Sequence, residues 1–307
     1  MEKTLPFVVY EETNYMTAKT DEITREYFNS MLITPRYLDC DIPDISIELW
    51  GRKYNTPVMT AALSHLHNVV PNGMVEFAKG AKEAGALHFM GMGEDKELED
   101  IIATGADTVK IIKPHEDDNE VLRRIAHAEK SGAVAVGMDI DHAISYQGTY
   151  DNVFGLPMHP KTTEQLKEYV KATKLPFVVK GVLSPEDAYK CVDAGAAAVL
   201  VSHHHGIMDC MVPPLMVLPE IVKAVNGCAK VFVDCNFESG MDVFKALALG
   251  ADAVGIGRNL MEPLKEGAAG VAKRIDVINH ELMTVMARTG AENISEIDPA
   301  VIRFRKF

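Results

Sequence analysis

The chain has 307 residues, 47% of them hydrophobic, which is ample for one large domain or two ordinary ones. Lys and Arg number 31 against 44 Asp and Glu, a formal net charge of −13 that argues against a nucleic-acid partner, since phosphate binding needs a basic face. No apolar run reaches the roughly 18 residues that suggest a membrane span. The opening MEKTLPFVVYEETNY is too acidic, and its apolar part too short, for a signal peptide. The five cysteines (Cys40, Cys191, Cys210, Cys228, Cys235) contain no Cys-x-x-Cys pair, a pattern expected of reduced thiols in a cytoplasmic protein.

Residues 1–56 read as an N-terminal extension, with a helix near 20–31 and an irregular run to Gly51. From 57 to 307 one grammar repeats: a short apolar run, a polar or glycine junction, then an amphipathic segment. The apolar runs are PVMTAAL (57–63), ALHFMG (86–91), TVKIIK (108–113), AVAVGMD (133–139), PFVVKG (176–181), AAVLVSH (197–203), KVFVDC (230–235) and ADAVGIGR (251–258). Between them, stretches such as 119–132 and 185–195 carry apolar residues at helical spacing. Ser184 before Pro185 marks a helix start and Gly195 its end. The segment 268–288 reads as a long closing helix with Val271, Ile275, Ile278, Leu282 and Val285 on one face. Strand–helix alternation fits an open doubly wound sheet as well, but eight units favour a parallel (β/α)8 TIM barrel, a single domain with 1–56 packed on it.

Barrels carry their chemistry just past the C-terminal strand ends. Those ends read Thr60-Ala61-Ala62, Gly91, Lys113, Asp139 with Asp141-His142, Lys180, Ser202 to His205, Asp234-Cys235-Asn236, and Gly257-Arg258. The stretch AVLVSHHHG (198–206) stands out, because three imidazoles there offer bases, donors or metal ligands near neutral pH. Lys180, inside the run PFVVK, is either a snorkelling strand-end residue or a cation aimed at an electron-rich ligand. The eighth strand closes on Gly-Arg and the helix after the seventh opens on Glu238-Ser239-Gly240, a place where barrels bind phosphate. The plain alternative is a tight turn with a surface arginine.

The run VFVDCNFESGMDVFKALALGADAVGIGR resembles the V-D-G-G-x-R-x-G-x-D-V-x-K-A-L-A-L-G-A-x-x-V-x-I-G-R signature of the FMN-dependent α-hydroxy acid oxidases and dehydrogenases, the family of glycolate and lactate oxidase. LPFVVKGVLSPEDAYKCVDAGAAAVLVSHHHG resembles that family's L-P-V-x-x-K-G-I-x-x-x-E-D-A and V-S-N-H-G-G segments. Upstream, DEITRE (21–26) and PRYLD (35–39) are similar to D-E-x-T-x-x-E and P-R-x-L-x-D-V, so the likeness spans most of the chain. The resemblance implies a flavoprotein oxidoreductase with FMN as cofactor and a small molecule as substrate, and it suggests a homo-oligomer, a tetramer in the family; the cysteines, charge and hydropathy add the expectation of a cytoplasmic protein with neither nucleic acid nor membrane as partner. It makes His204 the base that removes a substrate proton, Asp139 its charge partner, and Lys180 the cation beside the flavin N1–C2=O edge. Ser202, Gly91, Asp234, Asn236, Gly257 and Arg258 fall around the cofactor, and Thr60, Ala61 and Ala62 where the backbone approaches the flavin ring.

The departures concern the substrate. The family arginine three residues after the base is Ile207 here, a second carboxylate-binding arginine aligns near Tyr146, a substrate tyrosine aligns with Lys113, and another falls beside Tyr15. An unpaired carboxylate beside Ile207 would be costly to desolvate. The cofactor site also differs: Glu238 stands where the family has a phosphate-binding arginine, Cys235 and Asn236 replace two glycines, and Gly137 a threonine. Only 41 positions (180 − 139) separate Asp139 from Lys180, fewer than in the oxidases, so the lid over the site is trimmed.

The expected function is therefore an FMN-dependent oxidoreductase acting on something other than a small α-hydroxy carboxylate. Two alternatives stay open. One is a flavin-free, metal-dependent lyase, isomerase or hydrolase drawing on His65, His67, Asp139, Asp141, His142, His203, His204, His205, Asp234 or Cys235, although no compact metal motif is present. Simple loop hydrogen bonds are the plainer reading of His65, His67, His203 and His205. The other alternative is a barrel that kept its scaffold and lost its reaction.

Overall fold

The computed structural model describes residues 18–305. Eight parallel strands form one sheet: β1 (Val58–Thr60), β2 (His88–Met90), β3 (Thr108–Ile112), β4 (Ala135–Asp139), β5 (Phe177–Val182), β6 (Ala198–Val201), β7 (Lys230–Val233) and β8 (Ala253–Ile256). Their order is β1-β8-β7-β6-β5-β4-β3-β2. The Thr60 amide donates to the Leu87 carbonyl at 3.1 Å and a Leu63–Met90 bridge joins β1 to β2, closing the barrel. Eight helices follow the strands in turn: α1 (Gly73–Glu83), α2 (Asp95–Ala103), α3 (Asp118–Ser131), α4 (Thr163–Lys171), α5 (Pro185–Asp193), α6 (Pro214–Val225), α7 (Gly240–Ala248) and α8 (Gly267–Ala287). The (β/α)8 TIM barrel expected from the eight repeats is the fold observed. The caps behave as the sequence indicates: Ser184 Oγ accepts the Asp187 amide at 3.1 Å, and Gly195 takes φ +89° after α5. No helix among the described residues is long and apolar enough to cross a membrane.

Period-two alternation divides each strand between two cores. Met59, Phe89, Val109, Ile111, Ala135, Val178, Ala198, Leu200, Phe232 and Ala253 fill the barrel interior. Their neighbours, Val58, Ile112, Val136, Val179, Val199, Val201, Val231 and Val254, face outward to the helices. The run to Gly51, expected to be irregular, contains structure. Met31–Ile33 pairs antiparallel with Ile302–Phe304, and Ile47–Leu49 forms a hairpin with Arg52–Tyr54. That hairpin sends Leu49 and Tyr54 into the interior core and sets Trp50 edge-on to Phe232 at 5.9 Å. Each strand has only three residues, too short to show a period in the sequence.

The N-terminal helix, Ala18–Ser30, straps the β6–β7 side of the barrel. Thr24 Oγ1 meets His203 Nε2 at 3.0 Å, Arg25 pairs with Asp242 at 2.7 Å, and Lys245 Nζ donates to the Phe28 carbonyl at 2.9 Å. Across the mouth, the β4–α4 connection carries a small hairpin, Asn152–Val153 with Leu156–Pro157, whose Phe154 ring packs on His65 at 5.2 Å.

Candidate active site at the mouth of the barrel

Continued one step toward the C-terminal ends, the inward alternation places Ala61, Gly91, Lys113, Asp139, Lys180, Ser202, Asp234 and Gly255 in a ring at the top of the barrel. Below this ring the interior is aliphatic and aromatic; in it, charge appears. Lys113 Nζ donates to Asp139 Oδ2 at 2.7 Å, and Lys180 Nζ lies 2.8 Å from Asp139 Oδ1. Asp139, Lys180 and Lys113 are 2%, 3% and 8% exposed, so these are buried charges neutralised by one another. Burial pushes the Asp139 carboxyl up, but Lys113, Lys180 and His204 overcome this and hold it well below the usual carboxylate range. Burial works against the charged Lys180 too, and Asp139, Asp141 and Asp234 more than compensate, raising its pKa.

His204 sits where the chain leaves β6 in a left-handed turn, φ +49°, with its amide donating to Ser202 Oγ at 3.1 Å. Its Nδ1 lies 3.1 Å from both Asp141 carboxylate oxygens and 3.7 Å from Asp139 Oδ1. The partner expected from the sequence, Asp139, is thus engaged by two lysines, and Asp141 orients the imidazole. A glycine makes this approach feasible: Gly181 has φ +89°, and a Cβ there would fall 2.4 Å from Asp141 Cγ. Lys180 Nζ also lies 2.9 Å from His204 Nδ1, and since an ammonium only donates, it and the Asp141 carboxylate compete for that nitrogen. With the two Asp141 oxygens as its acceptors, Nδ1 is assigned the hydrogen and Nε2 keeps the basic lone pair. His142 packs edge-on against His204 at 4.5 Å, with Nδ1 3.2 Å from Asp151. Burial, with Lys113 nearby, lowers the His142 pKa to about 4.

A cavity of about 630 Å³ opens beside Lys180 and His204, within the range of small-molecule sites. Ala61, Ala62, Leu63 and Gly257 line one side, Asp234, Cys235 and Asn236 another, and Asp21, Arg25, Glu238 and Arg258 its outer end. At that end Arg258 NH1 and NH2 hold Asp21 at 3.0 and 3.2 Å. Cys235 and Asn236 keep left-handed backbones, φ +79° and +59°, at the turn where the family has glycines. Such conformations cost a non-glycine residue of order 1 kcal/mol, less for Asn. Burial pushes the Cys235 thiol up, so it stays protonated and donates to Asp234 Oδ1 at 3.1 Å.

Of the residues singled out in the sequence, Ala61, Ala62, Lys180, His204, Asp234, Asn236, Gly257 and Arg258 line this cavity. Gly91 and Ser202 stand behind it: the Gly91 carbonyl accepts Lys110 Nζ at 2.5 Å, and Ser202, 1% exposed, supports His204. Thr60 is turned away, because strand alternation points it opposite to Met59 and Ala61; its hydroxyl contacts His88 Nδ1 at 2.9 Å under α1. Lys113 is not a free cation but Asp139's partner. Tyr146 is 65% exposed at the tip of the β4–α4 connection, Ile207 lies beyond the cavity lining, and Tyr15 falls outside the described residues. The three histidines diverge. His203 Nδ1 accepts the Gly206 amide at 3.1 Å, leaving its Nε2–H for Thr24, and His205 Nδ1 meets Asp21 at 3.2 Å. Sequence reasoning assigned no role to Arg25 or Asp21; the available signal was the exchange of charge between the DEITRE segment and Glu238.

Asp139, Asp141 and His204 also offer ligand atoms within 4.8 Å of one another. Lys113 and Lys180 already pair with Asp139 and His204 with Asp141, so the charge that would draw a divalent ion is engaged.

A buried lysine, a carboxylate-oriented histidine and a glycine–arginine end at one cavity define a small-molecule site at the mouth of a TIM barrel, where enzymes of this fold carry their chemistry. The chain belongs to the FMN-dependent dehydrogenase family, whose sequence profile it matches over residues 2–169 and 158–304. It is 30% identical to glycolate oxidase 3 of Arabidopsis thaliana, with 97% of this chain and 92% of that protein covered. It is 31% identical to an L-lactate oxidase of Lactobacillus jensenii, covering 90% and 76%. Among solved structures, a mandelate oxidase bearing a monooxide FMN adduct superposes with a TM-score of 0.84 at 30% identity, over 94% of this chain and 92% of that one. Membership makes the chain an oxidoreductase with FMN as its cofactor, and the cavity fits one. A Cβ on Gly257 would come within 3.2 Å of Ala61 Cβ, so glycine lets the ends of β1 and β8 pack closely where they form the cavity wall. Lys180 stands at its inner edge and Arg258 at its outer end.

Proposed function

We propose that this chain oxidises a hydroxyl group on a substrate that carries no free carboxylate, with His204 as the base. The observation that carries the reading is the closed charge balance on the substrate side of the ring. Lys113 and Lys180 are both spent on Asp139, while Ile207 and exposed Tyr146 stand where carboxylate-binding arginines belong by resemblance. The relatives named for glycolate, lactate and mandelate act on small α-hydroxy acids. A carboxylate entering beside His204 would meet no arginine there, and the two lysines within reach are already paired with Asp139. Desolvating it without one costs on the order of several kcal/mol.

FMN, when bound, supplies the two-electron acceptor for the carbon-bound hydrogen. The protein's part is the proton. Asp141 holds the His204 ring with Nε2 unprotonated, and Nε2 takes the hydroxyl proton as the carbonyl product forms. The two nearby carboxylates then stabilise the imidazolium. Lys180, held charged and rigid by Asp139, presents a fixed cation to the cavity without needing to reorganise.

The test is anaerobic mixing of the FMN-loaded enzyme with matched pairs of substrates, a free α-hydroxy acid and its methyl ester, following the loss of oxidised flavin absorbance. The ester should react faster than the acid at equal concentration. A faster reaction with free glycolate, lactate or mandelate would overturn the substrate class, and no reaction with either set would favour a barrel that has lost its chemistry.

A further inference from the structure

The outer end of the cavity contains an arginine from outside the barrel. On the N-terminal helix, Asp21 and Arg25 sit one turn apart and both line the cavity. Arg25 NH1 donates to the Asn236 carbonyl at 3.1 Å, and Arg258 NH2 donates to the Asn236 side-chain oxygen. The two guanidinium groups therefore bracket a single residue of the β7–α7 turn. Arg25 is anchored by Asp242, with NH2 to Oδ1 at 2.7 Å and NH1 to Oδ2 at 3.1 Å, and it stacks over Phe28 at 4.7 Å. These contacts use three of its five N–H donors. Its side chain is 27% exposed, so the remaining donors are not sealed away.

The acidic groups at this end are arranged around the same two arginines. Asp21 closes on Arg258 and is held below the usual carboxylate range: burial raises it, and Arg258, His205 and Asn236 outweigh burial. Glu238, with its side chain 61% exposed, approaches Arg25 NH1 to 3.7 Å. The backbone at the start of α7 is also engaged, since the Gly240 amide donates to Glu281 at 2.7 Å and the Glu238 amide to Asp242 at 3.2 Å. A helix N-terminus that already faces carboxylates has little left for a phosphate. What remains for an anion is the pair of guanidinium groups.

We infer that Arg25 and Arg258 together form the phosphate grip of the cofactor site, with Asp21 acting as a built-in counter-ion that the phosphate displaces from Arg258. This rests on the assignment of the cavity to FMN. It moves one binding cation from the barrel to the N-terminal helix and makes Glu238 an opposing charge beside it. Planar guanidinium groups suit this role because each presents paired N–H donors to a phosphate edge.

The experiment compares FMN with riboflavin, which has the same ring and ribityl chain but lacks the phosphate. Apoprotein is titrated with each flavin, following flavin fluorescence, for the natural chain and for Arg25→Met and Glu238→Gln. A charge-assisted contact of this kind corresponds to about a ten- to hundredfold change in affinity. Arg25→Met should weaken FMN by that factor and leave riboflavin unchanged, whereas Glu238→Gln should tighten FMN alone by about threefold or more. Because Arg25 also anchors Asp242, its variant can fail to fold; the exposed Glu238→Gln change then decides the matter. An FMN-to-riboflavin preference unmoved by Glu238→Gln, or by a folded Arg25→Met, overturns the phosphate role. A natural chain that binds neither flavin overturns the cofactor assignment itself.

Discussion

Replacing Lys113 by Met tests whether the charged ring is held together as described. Methionine keeps the length and apolar stem of lysine but removes the ammonium 2.7 Å from Asp139 Oδ2. Asp139 is 2% exposed, so water cannot replace the lost partner. Breaking a buried pair typically costs about 3–5 kcal/mol, and because Lys180 still lies 2.8 Å from Oδ1, about 3 kcal/mol is expected here. At about 2–4 °C per kcal/mol for a chain of this size, the melting temperature should fall by roughly 6–12 °C. The pH dependence has a definite sign. In the natural chain the folded-state pKa of Asp139 lies below its unfolded value of about 3.9, so its contribution is complete above that value and is lost as pH falls through the folded one. Without Lys113 the folded pKa rises from that low value, so the deficit should be full at neutral pH and narrow in acid, below about pH 4, where Asp139 of the variant takes up a proton before that of the natural chain. Urea unfolding at pH 7 and across the acid range below pH 4 measures both. Adding Asp139→Asn to the variant removes the uncompensated charge and should recover part of the loss. A deficit under 1 kcal/mol, or one independent of pH, would refute the claim that Lys113 is a buried counter-charge.

Asp141→Asn should lower the rate of flavin reduction about hundredfold or more while FMN affinity holds, because the amide no longer fixes Nδ1–H on His204; nitrogen NMR of the imidazole should show the tautomer lost, and an unchanged tautomer would return the orienting role to Asp139. Gly181→Ala forces a Cβ into a φ +89° position 2.4 Å from Asp141 Cγ, so it should destabilise the fold by about 1–3 kcal/mol and reproduce the tautomer change. A neutral Gly181→Ala in thermal melts would show that Asp141 has another way to reach His204.

The barrel was legible because its signal is redundant. Eight apolar runs each end in a polar or glycine junction, and an error in one is corrected by the others. The same period-two pattern that identified the strands also placed Lys113, Asp139, Lys180, Ser202 and Asp234 in one inward ring. The Thr60 side chain faces the helical layer while its neighbour Ala61 lines the cavity, the difference that one position makes on a strand. The hairpin at 47–54 was invisible because three residues cannot display alternation.

The choice between Asp139 and Asp141 was of another kind. Both stand near the end of β4, and spacing alone cannot say which one faces His204. That is settled by two left-handed residues, Gly181 and His204, that make the chain depart from strand geometry where β5 and β6 end. The Arg25 contribution was harder still to read, since Arg25 and Asn236 are 211 positions apart and Asp21 and Arg258 are 237 apart. Contacts at such separation depend on how the strap packs, which no local pattern encodes. What the sequence did record was their charge: an arginine inside DEITRE and a glutamate at 238, each of the sign opposite to its setting. In a chain of net charge −13, a buried anion site must be assembled from the cations that can reach it. The strap brings one such cation across the mouth, so the N-terminal helix and the phosphate end of the cavity constrain each other's residues.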